Sequence, residues 1–353
     1  MLRTQIIGAT GYGGLGMIEL LLSHPEIKIT SLLAKTDTGQ PISALFPHLR
    51  GFCELRVDEA IPDRVGVDAD LVVFATPDGV AMEHAAKLRA AGIGVIDFSG
   101  DFRFASMAEH QRYCGRLSSD RAKTHVCHGL LNETVYGMPE LFRRQIEGAR
   151  LVGNSGCFAV AMLLGLVPLI EGDIVEPGSI IVDGKTGVSG AGKKPSSINH
   201  FPERNENLTP YRIATHQHGV EVATILERAT RTRIGLTFVP HLLPITRGLL
   251  CTIYGQLTRP AAAPEIRNVF VERYAGEPFL RVLPVGDAPT VKAVVGSNVC
   301  DIGVSVDTPN SRVVIVVAID NLLKGQAGVA LQNINLMFGF DEQLGLARLP
   351  MYP

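Results

Sequence analysis

The sequence predicts an α/β protein in two parts, a doubly wound parallel-sheet domain followed by an α+β domain. Three observations carry this. At 353 residues the chain exceeds what one ordinary core holds, so two domains are expected. Over roughly the first 150 residues strand-like and helix-like runs alternate, the pattern of a parallel sheet with right-handed crossovers. After Cys157 the order turns irregular, as in an α+β domain built on a largely antiparallel sheet.

The elements follow from their local patterns. Thr4–Ile7, Ile27–Leu33, Leu71–Ala75 and Gly94–Phe98 are short apolar runs that read as strands, and Gly13–Ser23 and Gly79–Ala91 as the helices among them. This first domain is expected to span residues 1–152. Phe158–Glu171 is apolar on every side and reads as a buried helix. Strands are expected at Ser179–Asp183, Gly235–His241, Gly248–Tyr254 and Arg312–Ile319, and helices at Gly219–Thr230 and Ala262–Tyr274, within a second domain of residues 153–324. Gly325–Phe338 carries Ala327, Val329, Ala330, Leu331, Ile334 and Met337 on one helical side. This C-terminal helical segment, 325–353, is expected to complete the first domain.

Composition narrows the function. Hydrophobic residues make up 46% and charged residues 19%, which suits a well-packed soluble enzyme, and a net charge of −2 offers nothing to a nucleic-acid backbone. The cysteines at 53, 114, 127, 157, 251 and 300 form no CxxC pair, which argues against zinc ribbons and thioredoxin-type redox motifs and for a reducing compartment. The chain opens directly into a strand with no signal peptide, and its longest apolar runs, such as Ala161–Ile170, are too short to span a bilayer. A cytoplasmic protein without a membrane partner is expected.

Ile6-Ile7-Gly8-Ala9-Thr10-Gly11-Tyr12-Gly13-Gly14 follows a strand and opens a helix. Glycines at 8, 11 and 14 allow a tight turn and close backbone approach to a pyrophosphate. An ordinary glycine-rich turn is the alternative; the place of this one in a βαβ pattern favours a dinucleotide. The second strand ends Leu33-Ala34-Lys35-Thr36, with no carboxylate until Asp37. An NAD enzyme places Asp or Glu there, whereas Lys35 and the hydroxyls suit a 2′-phosphate, so NADP is the expected cofactor unless Lys35 is simply solvated.

Cys157 lies in Leu151-Val152-Gly153-Asn154-Ser155-Gly156-Cys157-Phe158, at the predicted start of a helix. Helix N-terminal N–H groups favour negative charge, so this thiol is a candidate to ionise and act as an acyl-transfer nucleophile. Thr215-His216-Gln217-His218 sets two imidazoles two residues apart. On a strand they would share one face and a metal pair is conceivable, but no third ligand cluster is evident, so general acid/base chemistry is expected and no metal. The run Asp183–Gly192, with Ser189 and Gly190, could hold an oxyanion or could be a flexible loop. Arg247 is a candidate for bidentate contact with a carboxylate or phosphate, a surface ion pair being its other reading.

With these motifs in hand the chain resembles, over nearly its whole length, the longer form of the N-acetyl-γ-glutamyl-phosphate reductases of arginine biosynthesis. The resemblance rests on Gly8–Gly14, Ser99-Gly100-Asp101-Phe102-Arg103, Tyr136-Gly137-Met138-Pro139-Glu140, Gly156-Cys157, Gly187–Gly192 and Asn205-Glu206-Asn207. It continues through His216-Gln217-His218, Pro240-His241 to Arg247-Gly248, Asp320-Asn321-Leu322-Leu323-Lys324-Gly325 and Gln332–Gly339.

The resemblance implies a Rossmann domain joined to one like that of glyceraldehyde-3-phosphate dehydrogenase. It implies NADPH-dependent reduction of an acyl phosphate, N-acetyl-glutamyl 5-phosphate, to the semialdehyde with release of phosphate, in a homodimer or homotetramer. By family analogy Cys157 is the nucleophile and His216 the acid/base. Ser189, Gly190, Tyr211, His218, Arg247 and Arg103 fall at substrate positions. Gly8, Thr10, Gly11, Tyr12, Gly13, Gly14, Lys35, Thr76, Pro77, Ser99 and Asn321 fall at cofactor positions.

Ser155, Gln217 and Gly219-Val220-Glu221-Val222 depart from the family's usual proline, arginine and Pro-Glu-Ile. Those departures leave room for a carrier-linked aminoadipyl or glutamyl phosphate as substrate. Aspartate-semialdehyde dehydrogenase is a neighbouring reading, and an NADP-sensing scaffold is the non-enzymatic one.

Overall fold

The computed structural model describes residues 1–117 and 124–352. One compact unit comprises residues 1–155 and 326–347, and a second comprises 156–325 together with the chain from Arg348 on.

The first unit contains β1 (Leu2–Ile7), α1 (Tyr12–Leu21), β2 (Ile27–Ala34), α2 (Ile42–Leu45), β3 (Val57–Glu59), β4 (Leu71–Phe74), α3 (Ala81–Ala90), β5 (Gly94–Asp97), α4 (Met107–Cys114), β6 (Val135–Gly137), α5 (Pro139–Ile146) and β7 (Leu151–Asn154). Its seven strands form one wholly parallel sheet in the order β3-β2-β1-β4-β5-β7-β6. Every residue of β4, β5 and β7 is buried, and their polar residues, Asp97 and Asn154, come only at the strand ends: strands covered by helices on both faces have no solvent side to mark with polar residues. Strand order reverses between β1 and β4, so the crevice that such sheets use for ligands opens beyond the ends of these two strands.

The second unit contains α6 (Cys157–Glu171), β8 (Ile180–Thr186), α7 (Phe201–Arg204), β9 (Thr209–Pro210), α8 (Gln217–Thr230), β10 (Leu236–Leu242), β11 (Leu249–Gln256), α9 (Ala263–Arg273), β12 (Leu280–Val282), β13 (Cys300–Asp307) and β14 (Arg312–Ile319). The strand order is β12-β13-β14-β11-β8-β10-β9. Helix α6 is buried from Phe158 to Ile170 and packs on β11, β14 and α8. Its all-round hydrophobicity therefore has a cause: sheet lies on one side and helix on another. Among the described residues no helix is long and apolar enough to cross a membrane.

The second sheet is largely antiparallel, as expected; β8/β10 and β12/β13 are its parallel pairs, the first because the helical crossover α8 returns β10 alongside β8. Two features differ from the sequence reading. Strand β13 is absent from the sequence reading although Cys300, Ile302, Val304 and Val306 alternate with Asp301, Gly303, Ser305 and Asp307; at Gly303 a Cβ would stand 2.6 Å from Pro289 Cδ, a close approach that requires glycine. The C-terminal segment is not one long helix. A π-turn at Leu323–Ala327 leads into α10 (Gly328–Met337), and no helix follows in residues 338–352; residue 353 lies outside the described residues.

Candidate active site

In the first unit the loop after β1 is shaped by two of its three spaced glycines. Gly8 has φ +86°, and a Cβ on it would stand 2.3 Å from the Ala75 carbonyl oxygen; a Cβ on Gly14 would stand 2.3 Å from Gly8 O. At Gly11 the nearest atom would be 3.5 Å away, an ordinary contact, so steric need does not explain that glycine. Gly11 caps α1 without a side-chain bond, which leaves the helix start to backbone N–H groups. Thr10 is buried and Tyr12 and Gly13 are half-buried around the same turn.

The loop after β4 brings Thr76 and Pro77 beside this turn, within the β1/β4 crevice. Thr76 Oγ1 and Gln326 Oε1 are both buried with no hydrogen-bond partner, and Gln326 packs on Gly13. Two unmet buried polar atoms beside a glycine cradle fit a ligand with a pyrophosphate and an amide head, as a nicotinamide dinucleotide has. Lys35 is exposed just beyond β2, next to Asp37 with its φ of +60°.

Ser99 and Arg103 both make hydrogen bonds within the first unit. Ser99 Oγ donates to Asp97 Oδ2 at 2.7 Å. Arg103 is 5% exposed, and donates from Nε to Asn154 O and from Nη2 to Phe98 O, each at 2.7 Å. It braces the backbone rather than presenting its charge to solvent. Burial holds the Asp97 and Asp101 carboxyls above the usual range, each also raised by a neighbouring carboxylate, Asp101 beside Asp97 and Asp78 beside Asp101. Asp101 accepts the N–H groups of Gly79 and Met82, and Asp78 accepts that of Gly100, so the loops after β4 and β5 are cross-tied.

In the second unit Cys157 is the first residue of α6, with Gly156 at the non-helical cap position (φ −75°, ψ 151°) and no side-chain cap. Four features surround the thiol. A Cβ on Gly325 would stand 2.8 Å from Cys157 Cβ, and one on Gly156 would stand 2.5 Å from His218 Nε2. Glu221, fully buried, accepts the Gly156 N–H at 3.0 Å and lies 3.9 Å from His218 Nε2. The Tyr211 hydroxyl is pushed above the ordinary phenol range, first by burial and then by the neighbouring Cys157.

The His-x-His pair is not on a strand. His216 is the N-cap of α8 and His218 sits in the first turn, so the two rings meet at 4.7 Å instead of projecting in parallel. His216 Nδ1 accepts the His218 backbone N–H at 3.1 Å. That bond requires a lone pair on Nδ1 and so puts the proton on Nε2. Burial, then His218 and Arg212, lower the His216 pKa to about 2, so the ring is neutral. Among the described residues no group of His, Cys, Asp and Glu could hold a metal ion.

Ser189 and Arg247 are brought together because Gly187, Val188 and Ser189 donate to the carbonyls of Gly248, Ile245 and Thr246. A Cβ on Gly187 would stand 2.6 Å from Thr246 O, so the two loops touch through backbone. Asp320, fully buried, anchors Arg247 Nη2 at 3.1–3.2 Å, and Asp320 O accepts the N–H of Gly325, the residue against Cys157. Gly190 is exposed on this loop. Asn321 binds within the unit, accepting the Gly248 N–H and donating to Ser189 Oγ.

The departures from the family pattern are also placed. Ser155 donates to Gly137 O, and Gln217 accepts from Arg212 Nη1. Arg212 and Ala214 both have positive φ, an uncommon backbone for non-glycine residues, in the segment that leads into His216.

Residues 3–149 match the family described as semialdehyde dehydrogenase, NAD binding domain, and residues 157–321 match its dimerisation domain. The N-acetyl-gamma-glutamyl-phosphate reductase of Moorella thermoacetica is 40% identical, covering 98% of this chain and 98% of its own. That of Oceanobacillus iheyensis is 40% identical over the full length of both. Among solved structures, aspartate semialdehyde dehydrogenase II of Vibrio cholerae superposes with a TM-score of 0.71 at 18% identity, covering 96% of this chain and 98% of its own, which is a likeness of fold.

Proposed function

The chain belongs to the N-acetyl-γ-glutamyl-phosphate reductase family of semialdehyde dehydrogenases, and on that premise we propose that it reduces N-acetyl-glutamyl 5-phosphate to the 5-semialdehyde, with NADPH, through a thioester on Cys157. The observation that carries this is the cluster of Cys157, Tyr211, His216 and His218 at the uncapped start of α6.

The Cys157 thiolate attacks the acyl carbon of the mixed anhydride; the C–S bond forms as the C–O bond to phosphate breaks, and phosphate leaves with the electron pair. His218, packed against the turn that carries the thiol, takes the thiol proton. Arg247, oriented by Asp320, and the Ser189–Gly190 loop hold the departing phosphate. The backbone N–H groups at the start of α6 are donors for the carbonyl oxygen that becomes an oxyanion. His216, neutral with its proton on Nε2, is a second donor to that oxygen. This assigns it a hydrogen-bonding role and moves proton transfer to its neighbour. When bound, the reduced nicotinamide would supply a hydride to the acyl carbon; the C–S bond then breaks with its electron pair returning to the Cys157 sulfur, and the aldehyde leaves. Gly8, Gly14 and the start of α1 would hold its pyrophosphate, Thr76 Oγ1 and Gln326 Oε1 its amide end, and Lys35 the 2′-phosphate.

Ile181, Tyr254, Val314 and Val316 share the face of the second sheet that stays open to solvent, and support a homodimer or homotetramer built on it. A cytoplasmic setting fits six cysteines none of which is in a disulfide.

The test is Cys157→Ala in phosphate-dependent oxidation of the semialdehyde, with aspartate semialdehyde and a carrier-linked aldehyde alongside. Turnover is abolished while NADPH still binds; near wild-type turnover would sink covalent catalysis through this sulfur.

A further inference from the structure

Arg204 belongs to none of the machinery described above. It ends α7 and is 5% exposed, while Phe201–Glu203 before it and Asn205–Leu208 after it are exposed. Its Nη2 donates to Thr209 Oγ1 at 2.7 Å, and that hydroxyl donates on to Asn207 Oδ1 at 3.3 Å. Its Nε and Nη1 are buried and meet no acceptor, and no carboxylate among the described residues pairs with it.

A guanidinium keeps its charge at any pH the protein meets. Burying that charge with donors unmet is strongly unfavourable, so such a group normally has an anionic partner. The remaining geometry specifies the partner's shape. Nη2 carries two hydrogens, one on the edge it shares with Nε and one on the edge it shares with Nη1. Thr209 takes one of them, so one two-nitrogen edge stays whole whichever is used. A whole edge matches the two coplanar oxygens of a carboxylate.

The location ties this group to the reaction. Thr209 starts β9, which pairs with β10 at Leu242 and His241. Tyr211, the next residue past β9, donates its N–H to Pro240 O and sets its ring 5.6 Å from that of His216. The element that orients Arg204 therefore runs directly into the wall of the thiol site. Arg247, by contrast, is linked through Asp320 to Gly325 beside Cys157, where the phosphoryl group departs.

We propose that Arg204 anchors the carboxylate of the acyl substrate and so determines which acyl phosphates the enzyme accepts. This rests on the reaction assigned above.

Arg204→Met keeps the volume and removes the charge. In the oxidative direction it raises KM for the semialdehyde about 10²-fold, and leaves KM for phosphate and NADP within about twofold. It also removes discrimination: the wild type prefers the semialdehyde over an N-acyl aminoaldehyde without the carboxylate, and the variant does not. Arg204→Lys, with charge but no fork, falls between. The ligand-free unfolding midpoint of Arg204→Met is unchanged or higher, because an uncompensated charge has gone. A variant that still discriminates as the wild type does overturns the inference, as does a rise in the phosphate KM instead of the aldehyde KM.

A second arm is independent of turnover. Glutarate protects Cys157 from iodoacetamide in the wild type and not in Arg204→Met. An unprotected wild type overturns the carboxylate site. Failure of the wild type to oxidise the semialdehyde, with glutarate protection intact, defeats the reaction reading alone.

Discussion

Replacing Gly156 by alanine isolates the packing of His218 on the turn that carries the nucleophile. The backbone there (φ −75°, ψ 151°) is ordinary for any residue, so the substitution adds no conformational strain. The new Cβ, however, would stand 2.5 Å from His218 Nε2 and 2.9 Å from its Cδ2 and Cε1, about 1 Å inside van der Waals separation. The ring is poorly placed to yield, since Phe158 lies edge-on at 6.3 Å, His216 at 4.7 Å, and Glu221 sits fully buried at 3.9 Å. A displacement of about 1 Å in a proton-transfer group costs on the order of 10²-fold in rate, about 2.7 kcal/mol of transition-state stabilisation. Overpacking of this kind costs about 1–3 kcal/mol of folding stability, or about 2–4 °C per kcal/mol in a unit of this size. The assay is phosphate-dependent production of NADPH from the semialdehyde, with NADPH affinity and the unfolding midpoint measured on the same preparation. The expected outcome is kcat/KM lowered about 10²-fold, a midpoint lowered by a few degrees, and unchanged NADPH affinity. Activity within about threefold of wild type would refute the placement of His218 in proton transfer.

Two further outcomes follow from the same geometry. His216 has a folded pKa of about 2 against an ordinary 6.5, so below about pH 6.5 the unfolded chain binds a proton that the folded chain refuses. Stability therefore falls as pH drops from about 6.5, by up to about 1.4 kcal/mol per pH unit for this one group. Asparagine keeps an acceptor for the His218 N–H and is itself a favoured cap, so His216→Asn removes that slope without removing the cap. Denaturant unfolding between pH 4.5 and 7 measures it, and equal slopes in the two proteins would show that His216 is not held neutral. Lys35→Glu weakens NADPH binding by much more than NADH binding, as followed by nicotinamide fluorescence; equal losses would remove the 2′-phosphate contact.

Much of the site was legible because close backbone approach and a helix start leave marks on a short segment. Gly8 and Gly14 stand where a side chain would strike backbone oxygen, and Cys157 opens a helix too apolar to be anything but buried. The His-x-His spacing left the local structure open, and the structure makes His216 a cap and His218 a first-turn residue. Arg103, Ser99 and Asn321 belong to the resemblance, yet their side chains are engaged by neighbouring backbone and polar groups. Arg204 went unnoticed because Pro-Glu-Arg-Asn-Glu reads as solvated polar chain.

The alternation of strand and helix in the first domain, the tight glycine turn after its first strand and the place of Cys157 at a helix start were determined by the sequence alone, since each depends on a local pattern of apolar and small residues. The tautomer of His216, the turn of Arg103 into the interior and the burial of Arg204 were decided only by tertiary structure. The two arginines depend on which distant groups exclude water from them, and the tautomer on the cap geometry that turns the His216 ring onto the His218 N–H; neither condition can be read from residue order alone.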